Sequence, residues 1–211
     1  MKPPIQPKLM WVTTILFISS VLHAQNFHMV KDINDSKDGN PSNSFLIQQG
    51  GGWIAQYAVL NNIAYFAAPG GLWRSDGTTA GTWLVKNIST NEIVVAGSYL
   101  YFSANDGIHG WELWKSDGTE AGTTMVKDIY SGATSSDPSY IMYVNGILFF
   151  RATTSDKGNE LMRSDGTDAG TVVVKDFSPG IYNTWIDDLT DVQGTLFFFV
   201  SPNVDSLRGL W

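Results

Sequence analysis

Residues 72–88 read LWRSDGTTAGTWLVKNI, residues 113–129 read LWKSDGTEAGTTMVKDI, and residues 161–177 read LMRSDGTDAGTVVVKDF. This threefold near-identity constrains the fold more than any other property of the chain. A catalytic motif is needed once, whereas a unit that buries its faces against copies of itself is needed repeatedly.

The repeat extends upstream of these stretches. Aligned on Phe66, Phe102, Phe150 and Phe198, the chain gives AVLNNIAYFAA, VVAGSYLYFSA, MYVNGILFFRA and TDVQGTLFFFV. Each is a pair of short apolar runs around two residues: Asn61-Asn62, Gly97-Ser98, Asn145-Gly146 and Gln193-Gly194. Such pairs tolerate positive φ, which predicts two-residue hairpins of the primed type. The aromatic and β-branched second run suits a strand. A third strand is predicted at the LW segment (Glu112 to Lys115) and a fourth at the VKDI segment (Met125 to Ile129). Between them Asp-Gly-Thr supplies a turn, since Asp bonds nearby N–H groups and Gly accepts the left-handed conformation. No segment shows sustained helical periodicity.

Lys31, Lys86, Lys127 and Lys175 mark equivalent positions 55, 41 and 48 residues apart. Four strands in such a repeat match one propeller blade, with insertions such as Gly50-Gly51-Gly52 taken up in loops. The expected fold class is therefore all-β: a β-propeller-like array of about four four-stranded antiparallel units. An open stack of sheets is the alternative. Blade cores are expected from the four aligned phenylalanines and from the slot at Trp73, Trp114, Met162 and Trp211. The chain opens on a fourth-strand segment, Met29 to Ile33, and stops on a third-strand one, Gly209-Leu210-Trp211. Either the first completes the last blade and closes a four-bladed ring, or the chain is a piece cut mid-motif from a larger propeller. The second reading is preferred, because SDGT fails to follow Trp211.

Residues 1–24 are read as a secretory signal peptide. Lys2 and Lys8 form a basic start, Met10 to Leu22 is apolar, and Ala24 offers the cleavage site. The apolar run is short of the ~20 residues a membrane span needs. Residues 25–211 form the repeat domain. The net charge is −7, and losing the leader removes two lysines and no acid. A negative surface disfavours nucleic acid and anionic membranes as partners. The absence of cysteine leaves an exported domain to be held by its core alone.

At ELWKSDGTEAGT (112–123) the chain resembles the ELWxxDGT repeat family of exported and cell-surface bacterial proteins. YFSANDGIHGWELW (101–114) and VKDIYSGATSSDPS (126–139) are similar to that family's linking segments. The resemblance spans residues 28–211. It implies a propeller-like fold and a secreted or surface location, and no common activity. Met162 in place of Trp, Gly71 in place of Glu and Asn87 in place of Asp depart from the pattern.

Candidate chemistry is sparse. Asp76, Asp117 and Asp165 recur and are read as turn formers rather than calcium ligands. Asn34 to Gly39 is a weak oxygen-ligand loop, interrupted by Lys37 and ending on Phe45 at its twelfth position. The repeated lysines are read as a solvated strand face pairing with neighbouring acids. After the leader there are only His28 and His109, and no HExxH, GxSxG or phosphate-loop motif occurs. No cofactor is expected. Trp185 with Asp187, Asp188 and Asp191 is the one carboxylate-rich patch outside the repeat. It is the basis for an alternative, a polysaccharide-degrading enzyme. The preferred expectation is a non-enzymatic secreted or surface scaffold that binds a protein or glycan through residues that differ between units. These are the slot Ala67, Ser103, Arg151 and Phe199, the loops Asn105 to Gly110 and Thr153 to Asn159, and Trp185, Asp187 and Asp188.

Overall fold

The structure is a computed structural model. It describes residues 57–201 and 209–211, together with the backbone of two short paired strands, β1 (Leu46–Gln49) and β2 (Gly52–Ala55). The predicted signal peptide, the segment Met29 to Ile33 and the loop Asn34 to Gly39 lie outside the described residues.

The rest is all-β, arranged as four successive antiparallel meanders. Unit 1 is β3 (Tyr57–Leu60), β4 (Ile63–Ala68), β5 (Gly71–Ser75) and β6 (Trp83–Lys86). Unit 2 is β7 (Ser89–Ala96), β8 (Tyr99–Asn105), β9 (Trp111–Ser116) and β10 (Thr124–Lys127). Unit 3 is β11 (Ser139–Val144), β12 (Ile147–Thr154), β13 (Gly158–Ser164) and β14 (Val172–Lys175). Among the described residues unit 4 has three strands, β15 (Trp185–Val192), β16 (Thr195–Ser201) and β17 (Gly209–Leu210). The four hairpins fall at the predicted pairs. Leu60 faces Ile63, Ala96 faces Tyr99, Val144 faces Ile147 and Val192 faces Thr195. Asn61, Asn62, Asn145, Gly146, Gln193 and Gly194 all have positive φ, as type I′ turns require, while Gly97 alone does so in its pair. The paired strands β1 and β2 around the Gly-rich insert were not foreseen, because short strands flanked by glycine carry little pattern.

Strand alternation explains why the second strands are apolar at nearly every position: both faces are covered. Leu100, Phe102, Ala104 and Trp114 pack with Tyr65, Leu72 and Val85 of unit 1. Tyr101, Leu113 and Val126 point the other way, to Leu148, Phe150 and Met162 of unit 3. Leu161 then meets Ile186, Phe198 and Val200 of unit 4. Phe102 and Phe150 are fully buried, so truncating either to alanine should cost about 3–5 kcal/mol.

The aromatic slot needs a correction. Phe66 faces Trp73, Phe102 faces Trp114 and Phe150 faces Met162 across the ladder, and the last two slot residues are buried. Trp73 is only half-buried, and Trp211 is 51% exposed. Trp211 does reach the slot, exchanging backbone hydrogen bonds with Phe198 (2.9 and 3.1 Å) and meeting the Phe177 ring edge-on at 5.2 Å. It lies beyond the last strand of a three-stranded sheet, where no outer strand of the described residues shields it.

Candidate functional site

The shared motif consumes its own polar groups. In unit 2, Thr119 donates its N–H and its hydroxyl to Asp117 Oδ1 at 2.9 and 2.7 Å. Gly122 donates to the Thr119 hydroxyl at 2.9 Å, and the buried Ser116 and Thr123 hydroxyls pair at 2.7 Å. Units 1 and 3 repeat this through Asp76–Thr78 and Asp165–Thr167. The bonds from these threonine hydroxyls and N–H groups hold all three carboxyls below the ordinary range. Among the described residues no three His, Asp or Glu side chains come together in a way that could hold a metal ion. With Asp117 bonded within its own turn, Asp117→Asn should lower the thermal midpoint by the same amount in millimolar calcium and in excess chelator. A loss more than ~3 °C larger in calcium would contradict the turn assignment.

The same motif also joins the units. A Cβ on Gly118 would overlap the Tyr65 hydroxyl of unit 1, and one on Gly166 would overlap the Tyr101 hydroxyl of unit 2. Lys115 Nζ donates to the Gly166 carbonyl at 2.8 Å. Lys127 Nζ meets the Asp168 carbonyl at 3.1 Å and its carboxylate at 3.3 Å, both in the next unit. Lys127 thus pairs with a neighbouring acid as predicted. Lys175 lies over the Phe177 and Trp211 rings, and Lys31 is outside the described residues.

Sequence reasoning missed the glutamate of the ELW segment. Glu112 is fully buried and accepts from Ile129 N (2.9 Å), Tyr130 N (3.3 Å), Ser136 N (3.1 Å) and Ser136 Oγ (2.7 Å). Glu160, also fully buried, accepts from Phe177 N (3.2 Å) and Thr184 Oγ1 (2.5 Å). Each carboxylate clasps the linker to the next unit, residues 128–138 and 176–184. Unit 1 has Gly71 here, and its linker to β7 is only Asn87-Ile88. A Cβ on Gly71 would overlap the Lys86 carbonyl, so glutamate has neither room nor a loop to hold.

Burial pushes the Glu112 carboxyl up to about 7, the donors opposing it, and burial raises Glu160 as well. A carboxyl whose folded pKa exceeds its unfolded one stabilises the fold most below the unfolded value, 4.5, and loses that contribution as pH rises to about 7. The DGT aspartates act oppositely, losing theirs as pH falls below 3.8. Stability from urea denaturation should peak near pH ~4–5 and fall toward 7. A Glu112→Gln variant should flatten that fall.

The predicted site residues separate. Ser103 is 3% exposed, sealed between units 2 and 3, and cannot be reached. Arg151, half-buried, stacks on Tyr140 at 4.8 Å and reaches the Ile186 carbonyl of unit 4 at 3.4 Å, so it too spans a joint. The slot after the repeated phenylalanine is thus largely a spacer between units. Asp188 lies at a bulge with φ +53, as do Glu92 and Tyr140 in units 2 and 3. Glu92 spends a carboxylate oxygen on the next bulge, accepting from Ile141 N at 3.1 Å. Asp191 accepts from Gly194 N at 2.7 Å and serves its hairpin. Asp106 ties its loop through the N–H groups of Ile108 and His109, both at 2.9 Å, and the His109 ring at 2.7 Å. Asn159, ending the other predicted loop, donates its N–H to Asn183 Oδ1 at 2.9 Å.

Of the predicted set, Ile108 in the first loop (66% exposed), Ser155 and Asp156 in the second, and Trp185 and Asp188 at the start of β15 face outward. Trp185 is 54% exposed and Tyr182 72%. Asp187, half-buried, pairs with Phe199 in register.

No family model matches the chain, and no curated protein matches it. Among solved structures, a computationally designed protein, Ika8, is similar at a TM-score of 0.41 and 13% identity. The match covers 76% of this chain and 46% of the designed one, so the chain spans less than half of that structure.

Proposed function

We propose that this chain is a non-enzymatic binding module, an exported or surface repeat protein of the ELWxxDGT kind, whose stacked units present linker loops to a protein or glycan. The observation that supports this most is the glutamate clasp. Glu112 and Glu160 hold two linkers of different sequence in the same way. The clasp conserves the loop's footing and leaves its outward residues free to differ, which is how a scaffold accommodates specificity. Residues 130–136 read YSGATSS and residues 178–184 read SPGIYNT.

Exchanging residues 178–184 for the sequence of 130–136 should keep the melting temperature within ~3 °C, since Ser136 and Thr184 both bond the clasp, and should abolish binding. Binding is read on glycan and protein arrays beside polysaccharide depolymerisation assays. Binding without turnover is expected. Turnover lost in Asp187→Asn or Asp188→Asn would overturn the reading in favour of a polysaccharide-degrading enzyme.

A further inference from the structure

We propose that unit 4 of one copy of this chain docks against unit 1 of a second copy, head to tail. This goes beyond the binding reading above and does not depend on it.

Unit 4 carries on its outer side the apolar face that the other units hide. Leu210 faces Phe199 across the ladder, as Leu72, Leu113 and Leu161 face Ala67, Ser103 and Arg151. Those three leucines are buried in the joint with the following unit, whereas Leu210 is 62% exposed. Val192 opens its hairpin as Leu60, Ala96 and Val144 do; these are buried, and Val192 is 47% exposed. Phe197 precedes the repeated phenylalanine as Tyr65 and Tyr101 do. Both tyrosines are buried, and Phe197 is 37% exposed. A repeat array stays soluble by ending on a polar face, and this face is apolar at all three places, which marks it as a contact surface.

Unit 1 carries the matching seat. Tyr65 and Tyr101 rest on Gly118 and Gly166, but a Cβ on the equivalent Gly77 meets nothing within 4 Å. Leu84 is exposed, whereas its counterparts Met125 and Val173 pack into the preceding joint. Ala64 and Phe66 are already buried within one copy, so the seat is the turn and the outer strand. With Gly77 uncovered, the two ends of a single chain do not close on each other. Across the joint of units 3 and 4, Asn145 Nδ2 donates to the Gly194 carbonyl at 2.8 Å. Gln193, exposed, brings the same amide to the outer hairpin of unit 4.

The chain order selects the same partner. In unit 2 the fourth-strand segment is MVKDI at 125–129, and unit 3 follows it. Residues 29–33 also read MVKDI, and unit 1 follows them. Among the described residues no fourth strand lies beside β17. A second copy therefore brings a fourth-strand sequence and then the next unit, in the order used at the inner joints. Two different faces meet, so the contact is heterologous.

Sedimentation equilibrium of the full chain should show association that grows with concentration. Phe197→Asp and Leu210→Asp on one face, and Leu84→Asp on the other, each place an unpaired carboxylate in the contact and should weaken association about a hundredfold. Val30→Asp should act likewise, since its counterpart Val126 is buried. Ile108→Asp, exposed in a loop of unit 2, should associate as wild type. Phe197→Asp and Leu84→Asp, each monomeric alone, retain one intact face apiece. Mixed, they should form a one-to-one dimer, which unfolded variants could not do. A wild-type chain that stays monomeric at ~100 µM would overturn the proposal, as would association that survives Phe197→Asp and Leu210→Asp. Association kept by Leu84→Asp alone, with no mixed dimer, would mean that two unit 4 faces pair with each other, and the head-to-tail arrangement would fall.

Discussion

Glu112→Ala should lower the free energy of unfolding by about 3–5 kcal/mol, a large share of what a domain of this size possesses. The alanine would leave the N–H groups of Ile129, Tyr130 and Ser136 without their acceptor, together with the Ser136 hydroxyl. Each orphaned buried donor costs about 1–3 kcal/mol, and admitted water recovers part of that. Glu112→Gln keeps one carbonyl oxygen and should cost less. Hydrogen exchange should accelerate at Ile129, Tyr130 and Ser136 before the ladder amides of unit 2 respond. A loss below ~1 kcal/mol, or unchanged exchange in the linker, would show that the clasp does not hold it. Glu160→Ala should act likewise on residues 177–184.

Gly118→Ala should be far more damaging than Gly77→Ala, although the two glycines share the motif and nearly the same backbone. Their φ angles are +92 and +90, so both alanines carry the left-handed cost of about 1–2 kcal/mol. At Gly77 the added Cβ meets open space. At Gly118 it meets the Tyr65 hydroxyl, and overpacking of this kind costs about 1–3 kcal/mol more. Tyr65→Phe removes the obstructing oxygen. In the double variant part of the Gly118→Ala penalty should vanish, giving a coupling of at least ~1 kcal/mol by denaturant titration. Equal penalties at Gly77 and Gly118, or no coupling with Tyr65, would mean that the ring does not seat on the turn.

The hairpins were legible because a two-residue turn demands positive φ, and that demand leaves Asn, Gly and Gln in the sequence at fixed places. The repeat phase supplied the third and fourth strands in the same way. Burial of Ser103 was not legible: in strands covered on both faces, polar alternation no longer distinguishes inside from outside. Nor was the second role of Gly118, since its partner Tyr65 belongs to another unit and nothing local announces it. The glutamate clasp could have been read. Glu stands before the two long linkers and Gly71 before the two-residue one, a correlation visible in the repeat alignment. Left-handed φ at Glu92, Tyr140 and Asp188 leaves no such trace, because bulge geometry and neighbour contacts hold residues there that are not glycine.

The ring-on-glycine contact has a polarity. Among the described residues both tight joints, Tyr65 on Gly118 and Tyr101 on Gly166, take a tyrosine from the earlier unit and a bare backbone from the later one; the reverse approach, Tyr143 toward Gly97, is loose, 3.8 Å from where a Cβ would stand. A surface of this kind cannot mate with a second copy of itself across a two-fold axis; it only adds the next unit in one direction, like a stud entering a socket. Mechanical load along the array would then fall on one joint at a time. Extension should proceed in discrete steps, with the joint that fails first leaving its neighbours seated.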